Sequence, residues 1–495
     1  MGRFDDIDAS TPVVIGTAEI VHRDGDDFEP CSATALMLEA VRAAIAPLPE
    51  QVASSVGAVF VPHGTWVESD PGRAIAIELG APTARSVRSE LGVLQHTLLH
   101  RAATGVRDGL FDVAVVVGGE NRWSGVVAAK GGVAVPEAPA AAFGEPDEVI
   151  TPAEPVITAI EIERNLTTAA HQYAIIESAI RHDLGRSVAE HQRALGELWG
   201  SAARVAVDAP AAWDRRGLAP EEITEESPSN RMIAAPYPKW LVSQWNVDQA
   251  AALVCTTVGT ARRLGVDESQ WVFPLAMVLS NLVVPMPERA EIHRWPAAGL
   301  VARSALEAAQ VGVEELGPID LYSCFPAAVQ VQAREMGLGI GNGFTVTGGM
   351  VFGGGPFNNY SLQGAAAVVR AVREAPGSIG LSSAVSGLCT KPSVVLWSSA
   401  PPRAPFVALD VAFAADALTE RRPVDGDAIG PAVVVGATVV PGRDGAVTTV
   451  AVVEVDGVRT VVQNHDPAVG EAFRAADPVG AAVEVVAPGE FVLAP

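Results

Sequence analysis

TGGMVFGGGPFNN, Thr347 to Asn359, holds five glycines and no lysine or arginine, and it runs directly into an apolar helical pattern that begins near Tyr360. Glycine at this density lets backbone approach backbone where side chains would collide, or lets the chain turn sharply. The stretch lacks the Gly-Lys-Ser/Thr ending of a P-loop and does not spell GxGxxG, so it is not read as a phosphate cradle. Asn358, Asn359 and Ser361 are expected to cap the helix that follows.

That helix has a counterpart earlier in the chain. LQGAAAVVRAVREAPGSIGLSSAVSG, Leu362 to Gly387, lies without a gap on LQHTLLHRAATGVRDGLFDVAVVVGG, Leu94 to Gly119, matching Leu362 with Leu94, Gly377 with Gly109 and Gly387 with Gly119. Each block reads as helix, glycine turn, apolar strand and closing glycine, which predicts two similar α/β halves. Upstream, Val13 to Ile15 and Ala58 to Val61 read as buried strands and Ala33 to Ala46 as a helix. The run Asp112 to Glu120 is apolar on both faces, as a central parallel strand requires. On the helix Leu91 to Leu110 the leucines share one face, leaving His96, His100 and Arg107 on an exposed or subunit-facing stripe despite the metal-like HxxxH spacing.

Between the halves, Trp123 to Asn246 changes character: Val126 to Pro155 is rich in Ala, Val and Pro, and Ile157 to Trp199 is mainly helical. Such an insertion reads as a lid or ligand-binding subdomain. The second half is expected to resume at NVDQAAALVCTT, Asn246 to Thr257. After the linker SSAPPRAP, Ser398 to Pro405, strands dominate: Phe406 to Phe413, Pro431 to Val440, Ala446 to Val455, Val458 to Asn464 and Ala481 to Val486. Asp456-Gly457 marks a hairpin, and a short helix near Val469 to Ala475 completes the pattern of a small β-barrel of the OB type. The expected spans are 1–122 for the first half, 123–246 for the inserted domain, 247–398 for the second half and 405–495 for the barrel.

Composition narrows the function. At 495 residues with 49% hydrophobic and 19% charged residues, the chain is a well-buried globular protein of two or three domains. A formal net charge of -24 and few basic or aromatic residues in the barrel argue against a nucleic-acid partner. The acidic start has no apolar signal core, and Pro274 and Pro285 interrupt the most apolar run, so a cytoplasmic protein without a membrane span is expected. Cys31, Cys255, Cys324 and Cys389 lie far apart, without metal-ligand spacing, and are expected to be reduced.

With the two halves in hand, the chain resembles the thiolase superfamily, most closely the sterol-carrier-protein thiolases and thiolase-like proteins, from Thr11 to Trp397. NRMIAAPYPKWLVSQWNVDQAAA, Asn230 to Ala252, is similar to the family stretch ahead of the second half. IDLYSCF, Ile319 to Phe325, is similar to the HDCF or NEAF loop, and GGMVFGGGP, Gly348 to Pro356, to the GGxxxxGHP loop. The resemblance implies an α/β, duplicated thiolase fold, two βαβαβαββ halves plus a loop domain that binds coenzyme A, followed here by a small all-β, OB-like domain.

The same resemblance shows what is missing. A thiolase uses a Cys nucleophile at the start of the first-half helix, but the matching segment reads Ser89, Glu90, Leu91, Gly92, Val93, and no cysteine lies between Cys31 and Cys255. The His of GHP falls on Gly355, the His of HDCF on Tyr322, and the second catalytic Cys near Val385, with Cys389 close by. Ser89 has no His or Lys placed to activate it. The resemblance therefore implies a thiolase-like protein of lipid metabolism that binds coenzyme A or acyl-CoA, without Cys-dependent thiolysis or Claisen condensation. It leaves open an acyl-CoA lyase, acting as a retro-aldolase on β-hydroxyacyl or sterol side-chain CoA thioesters with Tyr322 as acid/base. Thiolase-like aldolases of that kind associate with an OB-fold partner. A degenerate acyltransferase, or an inactive partner in a lipid-degradation complex, is the third possibility.

Candidate catalytic residues are thus Tyr322, Cys324 and Cys389, the cysteines doubling as small buried hydrophobes. Gly348, Gly349, Gly354, Gly355 and Asn358 are the candidate pocket loop. Arg231, Lys239 and Trp240, with Trp245, are candidates to grip the phosphates and adenine of coenzyme A through charge and stacking, or else form an ordinary loop-domain surface. No metal and no covalently bound cofactor is expected, and the chain is expected to be a monomer or homodimer.

Overall fold

The computed structural model describes residues 4, 6–23, 25, 28–136, 142–442 and 445–494. Residues 1–3 of the acidic start and 137–141 of the Ala/Val/Pro-rich stretch lie outside them. Two sheets face each other across a layer of two helices. The first sheet runs in the order Pro12–Val21, Asp248–Thr257, Val113–Asn121, Val56–Pro62, Arg85–Ser89, Glu148–Ile150. The second runs Leu316–Asp320, Ile379–Ser386, Lys391–Ser398, Phe273–Leu279, Val407–Asp410.

The helices His96–Arg107 and Tyr360–Glu374 fill the space between the sheets. Leu98, Leu99 and Val106 from the first and Leu362, Val368 and Val369 from the second join one apolar cluster with Val116, Leu253, Val395 and Trp397 from the two sheets. Ala33–Ile45 covers the outer face of the first sheet and Pro296–Ala309 that of the second. The approach is close: a Cβ on Gly16 would lie 2.3 Å from the Ala44 carbonyl oxygen.

The internal duplication is real in three dimensions. Val113–Asn121 follows the first central helix, pairing parallel with Val56–Pro62 and antiparallel with Asp248–Thr257. Ile379–Ser386 follows the second, pairing parallel with Leu316–Asp320 and antiparallel with Lys391–Ser398. The third parallel strand, Arg85–Ser89 in the first half, is reduced in the second. Where His63 N–H donates to the Ser89 carbonyl at 2.8 Å, Leu321 N–H donates to that of Phe344 at 2.9 Å, without a strand around it.

Four sequence expectations are corrected. Asp248–Thr257, read as the opening of the second half, is a central strand of the first sheet, hydrogen-bonded on both edges. Both of its neighbours, Pro12–Val21 and Val113–Asn121, come from the first half, so that half is completed only after the inserted segment. Glu148–Ile150, inside the span expected for the inserted domain, is the outer strand of the same sheet. Val407–Asp410, read as the first barrel strand, instead pairs parallel with Phe273–Leu279 and leads into the helix Ala412–Ala417. His96 is not on an exposed stripe: it is 2% exposed, and its Nδ1 lies 2.8 Å from Ser393 Oγ. Burial pushes the His96 pKa down to about 3.

The inserted segment is helical, with Ala169–Asp183 and Val188–Asp208 as its main elements. The C-terminal strands Gly430–Pro441, Val447–Val455, Val458–Asn464, Glu490–Leu493 and Ala482–Ala487 close in that order into a five-stranded barrel, with Pro467–Ala475 as its helix. Asp456 and Gly457 both have positive φ, 47° and 80°, as the hairpin dipeptide predicts. Among the described residues no helix is long and apolar enough to cross a membrane.

Candidate functional site

The glycine stretch lies where the two central helices begin, and it is enclosed on every side. Its centre, Gly349–Gly353, is a single π-helical turn. Gly348, Gly349 and Gly354 have φ of 93°, 68° and 99°, a region that side chains disfavour. A Cβ on Gly348 would sit 2.5 Å from that of Ala206 on the helix Val188–Asp208, and one on Gly354 would sit 2.1 Å from Gln249 Oε1. The glycines are needed because protein, not ligand, comes close.

One carboxylate organises the loop. Asp320, at the end of its strand, receives Tyr360 OH at 2.9 Å on Oδ1. On Oδ2 it receives Thr345 Oγ1 at 2.8 Å, Thr347 Oγ1 at 3.0 Å, Val346 N–H at 3.1 Å and Thr347 N–H at 3.2 Å. Thr345 Oγ1 in turn accepts from Gly348 and Gly349 N–H at 3.1 and 3.0 Å, and Ser323 Oγ accepts from Met350 N–H at 3.0 Å. Burial raises the Asp320 pKa, opposed by the hydroxyl and amide donors. Sequence reading passed over Asp320, although it stands inside the quoted IDLYSCF; a carboxylate at a strand end ahead of a Thr- and Gly-rich loop was the available signal.

The space beside Gly355 is occupied by the chain itself. Ser243 N–H donates to the Cys324 carbonyl at 3.1 Å, Gln244 N–H to that of Met350 at 3.0 Å, and Gly355 N–H to that of Gln244 at 2.9 Å. A Cβ at Gly355 would lie 2.1 Å from Ser243 Oγ. Asn358 and Ser361 do not cap the second helix: the cap residue Asn359 makes no side-chain cap bond. Asn358 Nδ2 instead donates to the His63 carbonyl at 2.8 Å, Gln95 Nε2 donates to Asn358 Oδ1, and Ser361 Oγ donates to Gln95 Oε1 at 3.1 Å. These bonds tie the starts of the two central helices together, so the amides serve as a clasp. Ser89 is fully buried and its Oγ has no hydrogen-bond partner.

Tyr322, Cys324 and Cys389 do meet. Cys389, with φ 73°, lies 3.6 Å from Tyr173 OH, and Tyr173 stacks on Phe325 at 4.7 Å between ring centres. Arg289 closes the group, donating to the Leu388 carbonyl at 2.6 Å and attracting the Cys389 thiolate. The Tyr322 ring meets Tyr360 edge-on at 6.0 Å. Burial and the two sulfurs push the Tyr322 pKa up, so its phenol is a hydrogen-bond donor at neutral pH and not a base. Burial raises Cys324, with Cys389 adding to it, and raises Cys389 itself. Burial also pushes Cys31 up to about 11 and Cys255 up to about 12. A disulfide-exchange reagent at about pH 8 is therefore expected to leave Cys255, Cys324 and Cys389 unmodified in the folded protein and to titrate all four thiols in denaturant. Rapid modification of Cys389 in the native state would contradict this.

Arg231, Lys239 and Trp240 converge with a cation that sequence reading did not select. Lys239 Nζ lies 4.2 Å from the Trp240 ring centre, and the Arg216 guanidinium carbon 4.9 Å. Burial lowers the Lys239 pKa, and repulsion from Arg216 and Arg231 lowers it further. Arg216 is held by Asp214 at 2.9 Å, and Asp214 N–H donates to the Phe352 carbonyl at 2.7 Å. The cationic patch is thus joined to the glycine turn through one residue. Trp245, 45% exposed, carries the Arg122 guanidinium 3.8 Å above its ring and stands 6.0 Å from Phe357.

Two like halves, facing central helices and an inserted domain over their starts are the architecture of the thiolase superfamily, here with an added β-barrel. No family sequence model and no curated protein matches it. In three dimensions it is similar to a monomeric SCP2-thiolase-like protein type 1 from Mycobacterium smegmatis, with a TM-score of 0.84 and 28% identity, over 99% of this chain and 100% of that one. The Ltp2-ChsH2(DUF35) aldolase shares the fold at a TM-score of 0.59 and 20% identity, over 79% of this chain and 98% of that one. The dimeric peroxisomal thiolase of Saccharomyces cerevisiae does so at 0.56 and 15%, over 79% and 98%.

Proposed function

We propose that this protein binds a coenzyme A thioester through its inserted domain and does not carry out thiolysis or Claisen condensation, serving lipid metabolism as a thioester-binding protein. The observation that carries the reading is the Arg216, Arg231 and Lys239 cluster around Trp240, on a chain of net charge -24. Asp214 pairs with Arg216 and offsets part of this charge; phosphates beside an adenine would match the remaining charge and the aromatic face. Support for the second half of the reading comes from Ser243, which fills the space where a side chain at Gly355 would stand. A lyase that uses Tyr322 retains a donor for a thioester or keto oxygen but lacks a base at that residue.

Calorimetry with coenzyme A and acetyl-CoA tests this. Saturable binding is expected, weakened about tenfold in the double variant Arg216→Ala/Lys239→Ala, the loss of one to two charge-assisted contacts. Consumption of free coenzyme A thiol in the presence of a 3-ketoacyl-CoA should stay at the rate without protein. Equal affinity in wild type and double variant, or thiolytic turnover, would defeat the reading.

A further inference from the structure

The barrel does not hang free on its linker. Ala437 N–H donates to Ser178 Oγ at 3.0 Å, Ala235 N–H to the Val439 carbonyl at 2.9 Å, and Thr438 Oγ1 to the Ala235 carbonyl at 2.9 Å. The strand Gly430–Pro441 thereby sits against the helix Ala169–Asp183 and the segment 232–236. The seat is incomplete: between the two bodies remains a cavity of about 320 Å³, within the range of roughly 300–1,000 Å³ typical of small-molecule sites.

Its walls mix apolar residues, among them Val188, Met232, Val439 and Phe473, with the polar Ser178, Gln192, Thr224 and Thr438. Against that background Arg181 also lines the cavity. It is 8% exposed, and its Nε has no hydrogen-bond partner. Its Nη2 makes two long contacts, to the Ala476 carbonyl at 3.3 Å and Asp477 Oδ1 at 3.1 Å, and Asp477 is shared with His182 at 2.8 Å. A second guanidinium, Arg474, stands on the cavity wall paired with Glu226. A buried guanidinium nitrogen without an acceptor costs free energy unless something supplies one.

We propose that this cavity binds a small carboxylic acid with an unbranched apolar body, the carboxylate accepting from the Arg181 guanidinium and the hydrocarbon lying along Phe473 and Val439. Each guanidinium already has a carboxylate partner, Asp477 for Arg181 and Glu226 for Arg474, so the site takes no more than one added negative charge. Phe473 and Val439 give a hydrocarbon body a surface that an inorganic anion cannot use. This site is separate from the Trp240 patch and does not rest on the coenzyme A reading.

Calorimetry of the full chain with sodium octanoate is the direct test, with 1-octanol as the neutral counterpart and inorganic phosphate as the bare anion. Octanoate is expected to bind saturably at one site and more tightly than either control by about tenfold or more. Arg181→Gln, which removes the charge, should weaken octanoate binding about tenfold. Because that residue also touches Asp477, Val188→Trp serves as the second variant. Val188 is half-buried on the cavity wall at the first helical position, and an indole there should block octanoate while leaving Arg181 and its contacts in place. Absence of saturable octanoate binding, equal affinity for 1-octanol, or wild-type affinity in Val188→Trp would each overturn the proposal.

Discussion

Asp320→Ala is expected to lose about 4 kcal/mol of stability, among the largest costs of any single substitution in this chain. Five donors converge on that carboxylate, two from backbone amides and three from hydroxyls, and the residue is 1% exposed, so water cannot replace it. Without it Thr345 and Thr347 lose the acceptor that orients them, and the amides of Gly348 and Gly349 lose the threonine oxygens they donate to. Local opening should show first: amide exchange across Gly348–Gly355 should speed up at urea concentrations well below the global transition. Asp320→Asn should cost much less, about 1–2 kcal/mol, because one amide oxygen can serve the four Oδ2 donors while Tyr360 OH turns to accept from the amide nitrogen. Tyr360 has that freedom, lying 2.9 Å from Thr347 Oγ1. The pH dependence has a definite sign. Burial raises the folded-state pKa of Asp320 above 3.8, so the folded state binds more protons than the unfolded one as pH climbs through that interval. The carboxylate's contribution therefore falls as pH rises, and the stability gap between wild type and Asp320→Asn should narrow from acid to neutral pH. A wild-type urea midpoint with unchanged exchange in Asp320→Ala would contradict this account.

The sequence carried the fold further than it carried the site. The duplicated halves and the OB-like barrel were legible because each rests on periodic apolar runs and on glycines at turns, which survive in a single chain; the superfamily was legible from the resemblance of IDLYSCF and GGMVFGGGP to family loops. Val458 to Asn464 is a strand with those bounds, and Asp456-Gly457 is its hairpin turn. What was not legible is long-range pairing. Asp248–Thr257 looks the same in sequence whether it joins one sheet or the other, since it is buried on both faces either way. His96 misled for a related reason: its side of the helix faces the second sheet at Ser393, a partner 297 positions away. At the site, the loops were found but their partners were not. Gln95 and Asn358 are 263 positions apart, and Ser243 reaches Gly355 from the far end of the inserted domain. Arg216 joined Lys239 and Trp240 only once the loop between them closed.

Glu177→Leu is the other substitution with a large expected effect, about 3–5 kcal/mol, because it removes the acceptor at the centre of a buried network. Glu177 is fully buried on the helix Ala169–Asp183. Its Oε1 receives His191 Nε2 at 2.7 Å and Gln330 Nε2 at 2.8 Å, and its Oε2 receives Tyr237 OH at 2.6 Å. Leucine has nearly the right volume, so the cost comes from stranded donors and not from a cavity. Ala327 N–H also reaches Tyr237 OH, at 3.3 Å, which ties the network to the first turn of the helix Pro326–Met336, immediately after Tyr322 and Cys324. The inserted domain thus holds the loop that carries the candidate residues, and weakening one should loosen the other. A double-mutant cycle between Glu177→Leu and His191→Leu should show a coupling of about 1–3 kcal/mol, since removing both partners together leaves fewer unpaired groups than removing either alone. Near-additive effects would mean that the two side chains are solvated independently. In that case Cys324 would also stay as protected from thiol reagents in Glu177→Leu as in the wild type, whereas a coupled network predicts that its protection falls.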